Sequence, residues 1–525
     1  GTLPPTLHAG QPTGHVDWSA GTVRLLTEPV PWPAGDRPRR AGVSAFGISG
    51  TNAHLILRDP PAVGSPGAGD GSDDAGGERA GSGADRPRPV LAAGTHPWLV
   101  SARTASGLAA QAGRLAAYVA ACPGLDPADV AWSLATTRSS FEHRAVVTGA
   151  SRAELAAGLA ALAAGEPAAG VITGTVDAAG SGRVVFVFPG QGGQWAGMGR
   201  ELAASCPVFA ARLAECSRAL APHVDWDLDE VLSRSSLDRV DVVQPALWAV
   251  MVSLAAAWQA AGVTPDAVAG HSQGEIAAAV VAGILSLEEG ARVVALRSKA
   301  LLALAGRGGM VSVAEPADAV RGRISRWGDR LSVAAVNGPA ATVVSGEPAA
   351  LEELISVCEA AGVRARAVPV DYASHSVQVE QLQDEILAAL DGIAPGPARI
   401  PMISAMTGQW LDGPEAGARY WYDSLRSPVE FGRAIQALAG AGYRACVEVS
   451  PHPVLTAAIT VTLEAAADGL VTVTGTLRRD DGGPDRFLAA LATAHVHGTA
   501  VDWAAVVGGG RQVDLPTYAF QRQRY

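Results

Sequence analysis

Apolar positions recur in blocks along most of the chain, alternating between the two-residue period of strands and the three-to-four-residue period of helices. Residues 98–101 read as a strand. Helices follow at 104–121, with Thr104 or Ser106 as N-cap, and at 127–139. A strand at 143–149, a helix at 151–164 and a strand at 170–176 complete a small α/β module. From Arg183 a buried strand runs into the turn Gly190-Gln191-Gly192-Gly193, with a helix expected from about Trp195. Residues 242–260 read as a long buried helix with Pro245 near its start, and 286–305 as another helix carrying Arg292 and Arg297. Between 310 and 370 the rhythm becomes β-α-β-β-α-β, which describes a ferredoxin-like subdomain. Strands resume at 400–404 and 445–449, with 450–453 a turn. Beyond about 480 come a helix and a tail, 515–525, expected to lie along a surface.

The first 95 residues follow a different pattern. Residues 21–27 and 53–57 look like strands, joined by the proline-rich 29–33 and a loop at 42–54. Two or three strands in so short a stretch cannot bury a core alone. From 58 to 95 the composition turns to Gly, Ser, Ala, Asp and Pro without period, which predicts a flexible linker. Over 525 residues, 48% hydrophobic and 17% charged content predicts two to four globular units. The net charge of −11 argues against a nucleic-acid surface. One of the 40 basic residues is a lysine, Lys299, a bias that reads as coding composition rather than function. Five widely spaced cysteines without a C-x-x-C pair argue against a zinc site or disulfide frame. With no signal peptide and no uninterrupted apolar run of about 18 residues, the chain is expected to be cytoplasmic and free of membrane.

The chemistry concentrates at Gly270-His271-Ser272-Gln273-Gly274. A short apolar run at 266–269 leads in and an alanine-rich helical run leads out, so a serine sits at the apex of a strand–turn–helix. The flanking glycines remove Cβ atoms where that turn would clash, and the helix N-terminus aims N–H groups at the serine. A hydroxyl so placed can attack an acyl carbon while those N–H groups hold the oxyanion. The glycine turn at 190–193 has no G-K-[ST], which excludes a phosphate loop and leaves Gln191 facing a ligand. His375, in Tyr372-Ala373-Ser374-His375, is a candidate base, and His271 a residue that shapes the pocket. Asp371, four residues before His375, is read as structural.

Gln191, Ser272, Arg297 and His375, in that order and in those motifs, resemble the malonyl-type acyltransferase family, most closely the acyltransferase domains of modular polyketide synthases. Gly42-Val-Ser-Ala-Phe-Gly-Ile-Ser-Gly-Thr-Asn-Ala-His54 resembles the C-terminal tail of a ketosynthase. The resemblance implies a ketosynthase remnant at 1–57 with a structural His54, a flexible linker at 58–95 and a ketosynthase-to-acyltransferase linker domain at 96–182. An acyltransferase domain at 183–480, its ferredoxin-like part at about 310–375, and a post-acyltransferase linker at 481–525 would follow. The implied fold is α/β: an α/β-hydrolase-like large subdomain with a parallel-sheet nucleophile elbow, plus the ferredoxin-like small subdomain.

On the same resemblance, Ser272 would take an acyl group from an acyl-CoA and pass it to the phosphopantetheine thiol of an acyl carrier protein, with His375 as base. No cofactor or metal would be bound, and the ketosynthase of the same module would be a further partner. Gln191 and Gln273 would form the oxyanion hole, and Arg297 would pair with the free carboxylate of a malonyl-type donor. Backbone carbonyls and Asn337, or the 450–453 turn, would orient His375. Tyr372 and Ser374 belong to a motif associated with methylmalonyl selection, Ser374 leaving room for an α-methyl group. Gln273 and residues 239–244 agree with that choice, which makes methylmalonyl-CoA the expected donor. Malonyl- or ethylmalonyl-specific transfer, a serine hydrolase or thioesterase on a similar elbow, and a silent docking scaffold are the rival readings.

Overall fold

Strand runs such as Val184 to Phe188 are apolar at every position because both faces of their sheet are covered. In the computed structural model this sheet has six strands, ordered Trp410–Leu411, Met402–Ile403, Ala267–Gly270, Arg183–Phe188, Tyr443–Glu448 and Thr472–Gly475. The pairing is parallel throughout except at the Trp410–Leu411 edge. The structure describes residues 1–6, 9–46, 50, 52–59, 89–92, 94–176, 182–233, 237–467 and 469–521. It divides into two units, Gly1–Gly81 and Ser82–Tyr525, and the six-stranded sheet belongs to the second.

Helices cover the sheet. Val240–Ala260 is apolar nearly all round and buries Trp248 and Trp258 completely, packed against Pro207–Leu220 and Leu287–Ala300. Its mean hydropathy of 1.6 would suit a membrane span, but 94% of that window is buried inside the protein. Leu287–Ala300 starts where the sequence places it. Ser286 accepts from the Glu289 N–H while the Glu289 carboxylate accepts from the Ser286 N–H, a reciprocal cap. The helix expected from Trp195 begins instead at Arg200. Gly197 and Gly199 take φ of 86° and 82°, a left-handed backbone that a right-handed helix cannot include.

Beside the main sheet stands a four-stranded antiparallel sheet, ordered Leu331–Gly338, Ala341–Gly346, Gly309–Val313 and Ala365–Val368. With Ala317–Ile324 and Pro348–Ala360 on one face, it has the ferredoxin-like order read from the sequence.

The module after the linker is a three-stranded antiparallel sheet, His96–Ala102, His143–Gly149 and Val171–Thr175, with three helices. Thr104 and Ser151 cap two of those helices by accepting from the N–H groups of Gly107 and Glu154. Residues 511–521 have no regular structure and run along this module. Leu515 enters its core, Arg138 donates to the Leu515 carbonyl, and Tyr518 meets Phe141 edge-on.

In the first unit, Arg40–Phe46 pairs with Asn52–Arg58, so most of the expected 42–54 loop is strand. His54 hydrogen-bonds Ser44 across this hairpin (2.7 Å). Residues 21–27 form no strand: the Leu26 carbonyl accepts from the Thr6 N–H, but no ladder develops. Of the 58–95 linker, residues 60–88 and 93 lie outside the described residues, as do 47–49 and 51 of the motif and 522–525 of the tail.

Candidate active site

The elbow is as tight as its glycines imply. A Cβ on Gly270 would lie 2.2 Å from the Glu275 nitrogen, and one on Gly274 would lie 2.1 Å from the Phe188 carbonyl oxygen. Between them Ser272 sits at φ 54°, a region that costs an L-residue about 1–3 kcal/mol and persists only where surroundings enforce it. His375 is strained in the same way, at φ 56°, with its N–H bound to the Leu425 carbonyl (2.9 Å). The two strained residues meet: Ser272 Oγ lies 2.8 Å from His375 Nε2. Nδ1 of His375 lies 2.7 Å from the Ser427 carbonyl oxygen, which can only accept. That contact puts the ring proton on Nδ1 and leaves the Nε2 lone pair facing the serine. Burial pushes the His375 imidazolium down to about 3, partly offset by the Ser427 carbonyl, so the ring is neutral at pH 7.

Gln191 and Gln273 flank the serine. The Gln273 side chain is 1% exposed, with Nε2 3.4 Å from the Pro189 carbonyl and Oε1 without a partner. Among the described residues, the backbone N–H groups of Gln191 and Gln273 have no protein acceptor. Tyr372 donates to Gln191 Oε1 (2.8 Å) and accepts from Gln244 Nε2 (3.3 Å). This relay fixes the oxygen end of the Gln191 amide and so determines which end can donate elsewhere. Gln244 lies in the 239–244 stretch that the sequence singles out, but its part in this relay is visible only in three dimensions. Gly190 carries the turn against the elbow, where a Cβ would be 3.2 Å from the His271 carbonyl.

Of the groups expected to orient His375, a backbone carbonyl does so, at Ser427, and the other two do not. Asn337 does not reach His375; its Oδ1 lies 2.7 Å from His271 Nε2 and holds that half-buried ring, which also meets Phe431 edge-on. The 450–453 turn supports the glutamine turn instead of the histidine: Trp195 donates to the Pro451 carbonyl, and Gly193 packs on the His452 carbonyl. That support is anchored from below by Glu448, fully buried, which accepts from the N–H groups of Val454 (2.6 Å) and Leu455 (2.8 Å) and from Ser450 Oγ (3.2 Å). Asp371 engages through its carbonyl, which accepts from the Gly306 N–H.

Arg297 is 1% exposed, and its Nη1 donates to Ser424 Oγ at 3.0 Å. Its Nε and Nη2 are buried without a partner. A buried guanidinium with two unmet donors is costly unless an anion arrives. Burial pulls it down to about 10, so it remains a cation at pH 7. Ser374 is buried beside His375. The Ser427 carbonyl, Glu275, Tyr420 and Glu448 were not flagged by sequence reasoning; a backbone carbonyl carries no residue-type signal. Among the described residues no group of three His, Cys, Asp or Glu could hold a metal ion.

Comparison with known proteins agrees with this geometry. The family described as acyl transferase domain matches residues 185–501, and the family described as ketoacyl-synthetase C-terminal extension matches residues 12–148. The polyketide synthase GfsA of Streptomyces halstedii is 55% identical over 537 residues; the match takes in all of this chain but 7% of GfsA. The acyltransferase domain from module 8 of the salinomycin polyketide synthase is 56% identical. It covers 79% of this chain and 99% of its own, with a TM-score of 0.77. The acyltransferase domain of SpnD, solved in complex with 2-(pent-4-yn-1-yl)malonyl, is 30% identical with a TM-score of 0.71, covering 79% of this chain and 98% of its own.

Proposed function

Since the chain belongs to the acyl transferase domain family, as found in modular polyketide synthases, we propose that it loads a methylmalonyl extender unit from CoA onto the phosphopantetheine thiol of an acyl carrier protein. The observation that carries the reading is the Ser272 Oγ to His375 Nε2 contact of 2.8 Å, with Nδ1 held on a carbonyl.

In the first half-reaction His375 Nε2 takes the Ser272 proton as Oγ attacks the thioester carbon. The N–H groups of Gln191 and Gln273 hold the oxyanion, each worth about 3 kcal/mol in such a site. The C–S bond breaks, the imidazolium returns its proton to the CoA sulfur, and acyl-Ser272 remains. A carrier-protein thiol then repeats the sequence in reverse, so the two half-reactions share one acyl-enzyme in ping-pong fashion. No step requires a metal or a bound cofactor. The ketosynthase of the same module is the expected consumer of the loaded carrier.

The two unmet donors of Arg297 support a donor with a free carboxylate, and the substituted malonyl group bound by SpnD is in keeping with that class. They also favour a transferase over a general serine hydrolase, which has no use for a buried cation there. Buried Ser374, small where a phenylalanine would fill space, supports methylmalonyl over malonyl. One methylene is worth about 1–3 kcal/mol, so the proposal is a preference and not an exclusion.

Intact-protein mass spectrometry after mixing with malonyl-, methylmalonyl- or ethylmalonyl-CoA tests it. A methylmalonyl adduct that vanishes in Ser272→Ala is the expected result. Equal occupancy by malonyl would sink the donor assignment, and no adduct from any donor would sink the mechanism.

A further inference from the structure

One ionisable group beside the site has no part in the chemistry above. Glu275 lies on the first turn of Gly274–Ala282, three residues after the nucleophile, and is 2% exposed. Its Oε1 accepts from the Ala405 N–H (2.7 Å) and from the Tyr420 hydroxyl (3.3 Å). The same hydroxyl lies 2.7 Å from Ser404 Oγ. Tyrosine has one proton to give, so this arrangement accepts either state of the carboxyl. Toward an ionised Glu275 the Tyr420 proton points at the carboxylate. Toward a protonated one it turns to Ser404, and Glu275 donates to the phenol oxygen. Neither state leaves Tyr420 unbonded.

The charge that faces Glu275 is Arg297, from Leu287–Ala300. Arg297 donates to Ser424 and the Trp421 carbonyl rather than to Glu275, and turns Nε and Nη2 to no protein group. The other groups facing the pair are Tyr420 from Ala418–Arg426, Tyr372 from the segment before His375, and Ser404 with the Ala405 N–H from the segment after Met402–Ile403. His375 and His271, held down by burial, add no positive charge at neutral pH. Unliganded, the pocket therefore holds one carboxyl and one guanidinium. When a malonyl-type donor seats its carboxylate on Arg297, two carboxylates share a single buried cation, and a low-dielectric site does not keep both ionised.

We infer that seating the donor carboxylate on Arg297 draws one proton from solvent onto Glu275, so that donor affinity falls as pH rises. The inference rests on the reading of Arg297 as the carboxylate seat. Burial, only partly offset by the Ala405 N–H, Ser404, the Arg297 charge and Tyr420, already pushes the Glu275 carboxyl up to about 7, which puts the exchange in the working range. Glu275 is a positioning residue: it touches no reacting atom and acts through the charge on Arg297.

The direct test is calorimetry of methylmalonyl-CoA binding to Ser272→Ala at pH 8, in buffers of different ionisation enthalpy, which counts protons taken up. Between about half a proton and one is expected for Ser272→Ala, and none for Ser272→Ala with Glu275→Gln. Free CoA, which lacks the acyl carboxylate, is expected to draw none in either. In steady state the wild-type KM should rise toward tenfold per pH unit above the titration point, with kcat following a different profile, and Glu275→Gln should flatten the KM curve. Tyr420→Phe, which removes a donor to the ionised carboxylate, should move the KM inflection to higher pH. Equal proton counts with and without Glu275, or an inflection unmoved by Tyr420→Phe, overturn the inference. Binding that is indifferent to Arg297→Ala overturns the carboxylate seat itself, a separate failure.

Discussion

Replacing Gly274 by alanine adds one methyl group, and the structure states where it goes. The new Cβ would lie 2.1 Å from the Phe188 carbonyl oxygen and 2.5 Å from that of Pro189, against an ordinary contact of 3.4–4 Å. The shortfall is about 1 Å or more, and it is against backbone on both counts. Phe188 ends a strand paired on both sides, to Ala267–Gly270 and to Tyr443–Glu448, so the sheet cannot retreat. The start of Gly274–Ala282 must move instead, taking Ser272 and the Gln273 N–H with it. Two effects oppose each other. Alanine is favoured over glycine in a helix by about 1 kcal/mol, while overpacking costs about 1–3 kcal/mol or more. Stability should therefore fall by only about 0–2 kcal/mol net, but a misplacement of about 1 Å at a reacting atom costs on the order of 100-fold in rate. The assay is single-turnover acylation of Ser272, followed by rapid quench and intact mass, with urea unfolding alongside. Gly190→Ala is the graded control: its Cβ would stand 3.2 Å from the His271 carbonyl, which a shift of a few tenths relieves, so its loss should be far smaller. A folded Gly274→Ala that acylates within about threefold of wild type would refute the account of the elbow.

Two further outcomes follow from buried charges. Arg297→Ala should leave Ser272 able to accept a plain acyl group while removing preference for donors with a free carboxylate, a loss of about 10- to 100-fold in relative kcat/KM measured with paired donors. Glu448→Gln replaces an acceptor oxygen by an NH2, so one of the Val454 and Leu455 N–H groups loses its partner, at about 1–3 kcal/mol by urea unfolding at pH 5. Burial raises Glu448 from its ordinary value to about 7, so the folded state holds that proton more tightly than the unfolded one. Its contribution to wild-type stability is full below the unfolded value, near 4.5, and is lost as pH rises toward 7. The gap between Glu448→Gln and wild type should accordingly narrow at pH 8; a gap that widens contradicts the sign.

Much of this site was legible from residue pattern because its demands are local. The elbow needs glycines at two positions and a serine between them, and the apolar runs on either side announce a strand and a helix. The ferredoxin-like subdomain was legible because its strands and helices alternate at short, regular spacing. Where the reading failed, the deciding contact lay far away in sequence or in the backbone. A backbone carbonyl was expected to help orient His375 and the Ser427 carbonyl does, but no side chain advertises which carbonyl it is, and Asn337, expected beside it, holds His271 instead. The helix placed at Trp195 followed apolar spacing and discounted two glycines that the fold uses in left-handed conformation. Residues 21–27 have strand-like alternation, but a strand is completed by a partner, and none pairs with it among the described residues.

The irregular stretch at 511–521 has a practical meaning for anyone exchanging such domains between assembly lines. It is stitched into the module at 96–176: the Arg511 N–H reaches Asp129, the Val513 N–H reaches Ser133, the Ala519 N–H reaches Gln111, and Arg114 holds the Tyr518 carbonyl. A segment hundreds of residues later thus seals a core that opens before the reactive elbow. The transplantable part is a loop of chain closed on itself, and its seams belong outside both ends of that closure. A cut at 501, where the family match stops, would leave Leu515 behind and unseal the far side of the module.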